Sequence, residues 1–261
     1  MRSYHILAAG FVCCFLACQK EPDDAFLIPT GCKLDEIHYF DANVPYDTVG
    51  LEYSGDRVSK ANYADHEISL VYSGNLVVKR NYYNPGSSVV GAYEDFIYNP
   101  DSTLGRVDFF VNDPGFPAPV LIIQYSFSYV GGKLSLLEAK LDTSGTGPVP
   151  LVEYHYEHTG NNITRLIGRD LINQSSDTIN YSFDATINYY SKNPALWLTD
   201  QLFAEFNGVL LPLALSANNV TSLFFNDGSA TQFTYTETDK AEIESIRIDG
   251  DLAARYKYKC Q

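Results

Sequence analysis

Basic residues are scarce: 18 lysines and arginines stand against 32 aspartates and glutamates in 261 residues, a formal charge of −14. Binding phosphates takes a basic face, so nucleic acid is excluded as a partner. Charged residues make up only 19% against 45% apolar, which excludes a disordered acidic tail. No Gly-Lys-Ser/Thr loop follows a strand and no dinucleotide fingerprint opens a helix, which argues against a nucleotide enzyme. A Gly-x-Ser-x-Gly elbow and a Cys-x-x-Cys pair are also missing, which removes the usual signatures of serine hydrolases and thiol redox proteins. The longest uncharged apolar run near the start, Ile6 to Ala17, is twelve residues, too short for the roughly 17–25 that a spanning helix needs.

What is present starts with an address. Arg2 followed by that short apolar run reads as a signal peptide over residues 1–17. It ends in Phe15-Leu16-Ala17-Cys18, which resembles the lipobox of bacterial lipoproteins, with Phe15 where leucine is usual. The resemblance implies that Cys18 is lipidated after cleavage and anchors the chain in a membrane. Residues 18–31 then read as a lipidated cysteine and flexible acidic tether, whose Gln19-Lys20-Glu21-Pro22-Asp23-Asp24 resembles the export signal of Bacteroidota surface lipoproteins. The localisation this implies is the outer membrane, lipid-anchored and facing the cell exterior. Residues 32–261 remain as a single domain.

Aromatics are 14% of the chain, with Tyr 20 and Phe 15, a bias that suits strands. Period-2 alternation is clearest where Leu121, Ile123, Tyr125, Phe127 and Tyr129 share one face and Gln124, Ser126 and Ser128 the other. Similar segments are separated by turn signals such as Ser54-Gly55-Asp56, Gly131-Gly132 and Asp249-Gly250. A loose repeat runs through them, in which an aromatic strand end meets a polar turn and a new strand opens on an aliphatic residue and often a base. Its units are Tyr53 to Val58, Tyr72 to Leu76, Tyr98 to Leu104 and Tyr129 to Leu134, with Tyr156 to Ile163 fitting more poorly. One helix is expected at 194–206, with Asn193 as N-cap, Pro194 first, Leu198, Leu202 and Phe206 on one stripe, and Gly208 beyond the end.

The repeat resembles YD/RHS-type repeats. Phe183-Asp184-Ala185, Lys192-Asn193-Pro194 and Ser216-Ala217-Asn218-Asn219-Val220 resemble an uncharacterised, YD-repeat-like family of Bacteroidota lipoproteins. The expected fold is therefore all-β, a curling antiparallel hairpin meander with the short helix covering part of the sheet. The resemblance brings no catalytic residues with it.

Candidate sites are few. His155 and His158 are three apart and project to opposite faces of a strand, so no metal site is assigned. Glu94-Asp95 reads as the cap of a strand starting at Phe96, and Asp249-Gly250-Asp251 as a hairpin turn. Of five cysteines, Cys13 and Cys14 leave with the signal peptide and Cys18 takes lipid, which leaves Cys32 and Cys260 for a disulfide joining the domain's ends. The alternative is two buried free thiols. No cofactor and no catalytic residue is assigned, and the ligand-binding residues are unknown at this level. The functional expectation is a non-enzymatic binding or interaction platform for protein or glycan. The alternatives are an envelope scaffold packing through a sheet edge and a carboxylate-dependent polysaccharide hydrolase.

Overall fold

The computed structural model describes residues 32–142, 147–188, 190, 198, 208–238 and 242–260. The first half of the ring contains β1 (Cys32–Asp41), β2 (Val44–Ser54), β3 (Arg57–Asn62), β4 (Glu67–Ser73), β5 (Leu76–Tyr83), β6 (Val90–Tyr98), β7 (Leu104–Val111) and β8 (Val120–Val130). The second half contains β9 (Lys133–Leu141), β10 (Val149–Thr159), β11 (Asn162–Asp170), β12 (Ser175–Ile187), β13 (Asn218–Phe225), β14 (Ala230–Glu237), β15 (Ile243–Ile248) and β16 (Asp251–Cys260). A short helix, α1 (Leu211–Leu215), precedes β13. Apart from the buried Leu198, the expected helix at 194–206 lies outside the described residues, as do the signal peptide, Cys18 and the tether.

The expected open meander is corrected to a closed barrel. Every strand is antiparallel to its sequence neighbours, and β1 pairs with β16, so sixteen strands form a ring without a free edge. Local alternation signals each hairpin, but closure depends on a pairing across 228 positions that no periodicity announces. The seam is covalent as well: Cys32 and Cys260 face each other in register and form a disulfide, their Cα atoms 3.9 Å apart. With no edge among the described strands, a scaffold that packs edge to edge loses its basis.

The wall is apolar inside and polar outside. On β1, Leu34, Ile37 and Tyr39 are buried while Glu36 and His38 lie on the other face. The same holds on β16, where Leu252, Ala254 and Tyr256 are buried and Arg255 and Lys257 are exposed. Cross-strand ion pairs such as Lys60 with Glu67 at 2.6 Å and Lys79 with Asp95 at 2.7 Å lie on the outer face. Each such pair contributes little on its own.

The two ends of the barrel differ. The near end holds both cysteines and the β2–β3, β4–β5 and further alternate turns, and here the loose repeat becomes a girdle. Tyr53, Tyr72, Tyr98 and Tyr129 each sit at the end of an even-numbered strand. They donate their hydroxyls to the carbonyls of Leu34, Val58, Val77 and Leu104 on the preceding strand, at 2.7–3.0 Å. Tyr235 and Tyr258 do the same to Val220 and Ile243. Alternation turns each ring inward, and a register shift at the aromatic of β2, β4, β6 and β8 places the extra residue, Ser59, Val78, Gly105 or Ser135, on the following strand. The fifth unit is His158, not Tyr156: His158 pairs with Ile163, and its Nε2 donates to the Leu134 carbonyl at 2.7 Å. The bases of the repeat also find a role. Lys33, Arg57 and Lys133 donate to the turn carbonyls of Gly55, Gly74 and Gly160 in the next hairpin, and Lys33 and Arg57 lie over the rings of Tyr53 and Tyr72.

Candidate functional site

A sixteen-strand barrel of round section encloses a water-filled channel. This one is filled. Its inner wall is rich in tyrosine and phenylalanine, and the described residues of the connection between β12 and β13, which starts at the near end, include the buried Tyr190, Leu198, Leu211 and Leu213. The carbonyl of Leu198 accepts from Arg80 Nη1 on β5 at 2.6 Å, and that of Gly208 accepts from Tyr156 on β10 at 3.0 Å. The Tyr190 and Tyr256 hydroxyls, the latter on β16, meet at 2.6 Å. These three strands are spaced almost evenly around the ring, so Tyr190, Leu198 and Gly208 reach three sides of the interior, and the described residues of the connection plug the barrel there. At its exit Ser216 Oγ accepts from the Ile163 amide, and Asn218 exchanges hydrogen bonds with Asn162, which explains the Asn-Asn-Val motif as a clasp.

Arg80 carries the plug's one charged contact among the described residues. It faces inward on β5 directly opposite Glu94 on β6, and Arg80 Nε donates to Glu94 Oε2, the two side chains being 1% and 5% exposed. Burying two charges is costly, and pairing compensates them without making the pair a strong stabiliser. Its effect is positional, because the guanidinium also fixes the Leu198 carbonyl. Glu94 is thus a mid-strand inward residue, not the strand cap expected from sequence, and Asp95 points the other way to Lys79. Adjacent positions on opposite faces cannot act as a pair of acids.

The far end carries a cleft of about 700 Å³ formed where β10, β11, β12 and β13 end. Its floor includes Tyr154, Leu166, Ile179, Val209 and Phe225, and its rim includes Asp170, Asp177 and Asp227. Two glycines shape the floor. Gly168 lies opposite Tyr154 in register, and a Cβ there would sit 3.5 Å from the ring. A Cβ on Gly208 would come within 2.3 Å of the same ring, so Gly208 is needed for plug contact. Burial first, and then the charge of Asp170, pushes the Tyr154 hydroxyl above its ordinary pKa, so it stays a neutral donor.

The rim carboxylates shape their own turns. Asp170 Oδ1 accepts from the amides of Ile172 and Asn173, both at 2.9 Å, which leaves the Ile172 side chain turned outward. The Asn173 amide holds the Asp170 carboxyl below the usual range, and the Ser229 hydroxyl does so for Asp227. Asp249 and Asp251 flank the β15–β16 turn as expected, Asp249 accepting from the Gln232 amide. His155 sits on the outer face beside Glu153, and His158 faces inward, so the two do not converge. Sequence reasoning missed the Arg80–Glu94 pair, the plug and the cleft; only the inward phase of Arg80, two residues from Tyr82, could have hinted at the first.

No family model and no curated protein matches the chain. Among solved structures, it is similar to a porin-like protein from Bacteroides uniformis ATCC 8492, with 11% identity, a TM-score of 0.56, and coverage of 87% of this chain and 98% of that one. A second porin-like protein, from Bacteroides vulgatus ATCC 8482, is 11% identical with a TM-score of 0.46, covering 87% and 97%. At this identity the first likeness speaks for the fold, a closed antiparallel barrel.

Proposed function

We propose that this chain is a lipid-anchored envelope protein whose plugged barrel acts as a non-enzymatic binding platform, holding to the membrane by its near end and presenting its far end to a partner. The observation that carries this reading is the polarity of the wall. Membrane-spanning barrels turn an apolar band to lipid and a polar face to the lumen. Here charged side chains face out along the strands, aromatic ones fill the interior, and a plug stands where a channel would be. Such a barrel suits water outside and needs a separate anchor. The lipobox-like Phe15-Leu16-Ala17-Cys18 supplies one, and residues 18–31 join the barrel at Cys32, on the near end. The resemblance of the fold to proteins described as porin-like accords with an envelope location. The far-end cleft, open to solvent and within the size range of ligand sites, is the place for a partner to engage.

The test is metabolic labelling with an alkyne fatty acid, followed by membrane fractionation. Wild type should carry label and sediment with membranes, and Cys18→Ala should do neither. Label surviving the substitution would refute the anchor. Ion conductance by the purified protein in planar bilayers would refute the plugged barrel.

A further inference from the structure

Eight connections cross the far end, between β1 and β2, β3 and β4, and so on to β15 and β16. Not one contains a lysine or arginine. Seven carry or are flanked by an aspartate among the described residues, Asp41, Asp65, Asp113 and Asp251 among them exposed, and these acidic turns lie all around the ring. Asp113 accepts from the Gly115 amide and Asp251 from the Asn43 side chain, neutral donors that leave the charge uncancelled, while Asp65 meets the His66 ring. The near end draws three bases, Lys33, Arg57 and Lys133, into its turns, and at the far end the comparable contact is that of Arg247 with the Gly250 carbonyl.

Apolar side chains accompany this charge. Val44, Val89, Phe116, Val149 and Ile172 stand at five different far-end connections, each between 58% and 72% exposed. Nothing in the wall needs them there, since each lies outside the buried core. A rim that alternates fixed negative charge with exposed hydrophobics repels acidic partners and offers contact area to a basic one. Ile172 and Asp170 also border the cleft, so a side chain arriving at the rim has a pocket to enter.

We propose that the far end is the docking surface for a basic polypeptide, whose lysines or arginines meet the rim aspartates while its apolar side chains seat against Phe116, Ile172 and the cleft floor. This rests on the reading of the far end as the working face. Charge complementarity selects the partner: the connections themselves carry no base, and Arg169 and Arg247 beside them are already engaged by Glu153 and by the Gly250 carbonyl, so the bases that meet the rim aspartates come from outside.

The test uses the full chain and two synthetic peptides, one alternating lysine and leucine and one alternating glutamate and leucine, with a panel of neutral oligosaccharides. The basic peptide should bind at least ten-fold more tightly than the acidic one and weaken as salt is raised. Asp41→Asn combined with Asp65→Asn and Asp113→Asn should weaken it about ten-fold, as should Phe116→Ser with Ile172→Ser. A control removing equal charge elsewhere, Asp56→Asn with Asp101→Asn and Glu157→Gln, should leave affinity within two-fold; all variants must keep the wild-type circular dichroism. An equal loss in the control would mean attraction to net charge alone and overturn the proposal. Oligosaccharide binding that is lost in Phe116→Ser with Ile172→Ser, without peptide binding, would overturn the polypeptide while keeping the far end as the working face. Binding of any probe that no far-end variant alters would overturn both, and so would the absence of binding by every probe.

Discussion

The near end of the barrel is fastened at seven of its eight hairpin units, and the far end is not. At the near end a tyrosine hydroxyl or His158 bridges each strand to the one before it in seven of the eight hairpin units, bases cap turn carbonyls, and a disulfide closes the seam. Leaving aside the β12–β13 connection, the far end has the longer connections, such as 112–119, and no such girdle, and Val44, Val89, Phe116, Val149 and Ile172 are exposed around it. The difference separates two tasks along one axis. Holding a wide barrel closed is done where the chain begins and ends, which frees the other rim to vary in charge and shape.

The largest expected effect that separates the ends is on pH dependence. Burial raises the pKa of near-end tyrosines, that of Tyr72 and of Tyr129 to about 12. A raised native pKa means stability fully present below the unfolded value near 10 and lost as pH climbs through 10 to 12. Unfolding followed by circular dichroism should therefore set in above pH 10 together with tyrosinate absorbance. The depressed carboxyls of Asp65, Asp170 and Asp227 act oppositely, their contribution fading as pH falls below about 4, and their exposure keeps it small. Tyrosinate absorbance that appears near pH 10 with the fold intact would remove the girdle from the account.

Next in size is the seam. Cys260→Ser should cost roughly 5 kcal/mol in the chain-entropy model, read as a lower denaturation midpoint. Arg80→Met should cost about 3–5 kcal/mol by stranding Glu94, whereas Arg80→Met combined with Glu94→Leu should recover most of that loss. If the double variant is no better than the single one, the pair does more than position the plug. Smallest is the contrast between single side chains: Tyr98→Phe at the near end should cost about 1 kcal/mol, and Asp113→Asn at the far end less than about 0.5 kcal/mol. Equal losses in chemical denaturation would erase the distinction between the ends.

Much of the wall was legible in the sequence. Alternation placed Tyr125, Phe127 and Tyr129 inward and Gln124, Ser126 and Ser128 outward, and the count of cysteines led to Cys32 with Cys260. The repeat is visible too, except that its fifth unit centres on His158 and not on Tyr156, an imidazole filling the hydrogen-bonding role that tyrosine has elsewhere. Closure, the plug and the Arg80–Glu94 pair were not legible. All three depend on contacts between segments far apart in the chain, and Glu94 beside Asp95 resembles a polar strand cap until the partner strand supplies Arg80. The cleft escaped for the same reason, since its floor gathers Tyr154, Ile179, Val209 and Phe225 from four separate stretches.

The central claim, a barrel locked at its near end and open for contact at its far end, is tested most directly by hydrogen exchange of the full chain read residue by residue. The account predicts the slowest backbone amides in the near-end halves of the strands, around Leu34, Val58, Leu134 and Val220, and exchange faster by orders of magnitude in connections 113–119 and 170–174. Fast exchange around the girdle with protection concentrated at the far end would contradict it.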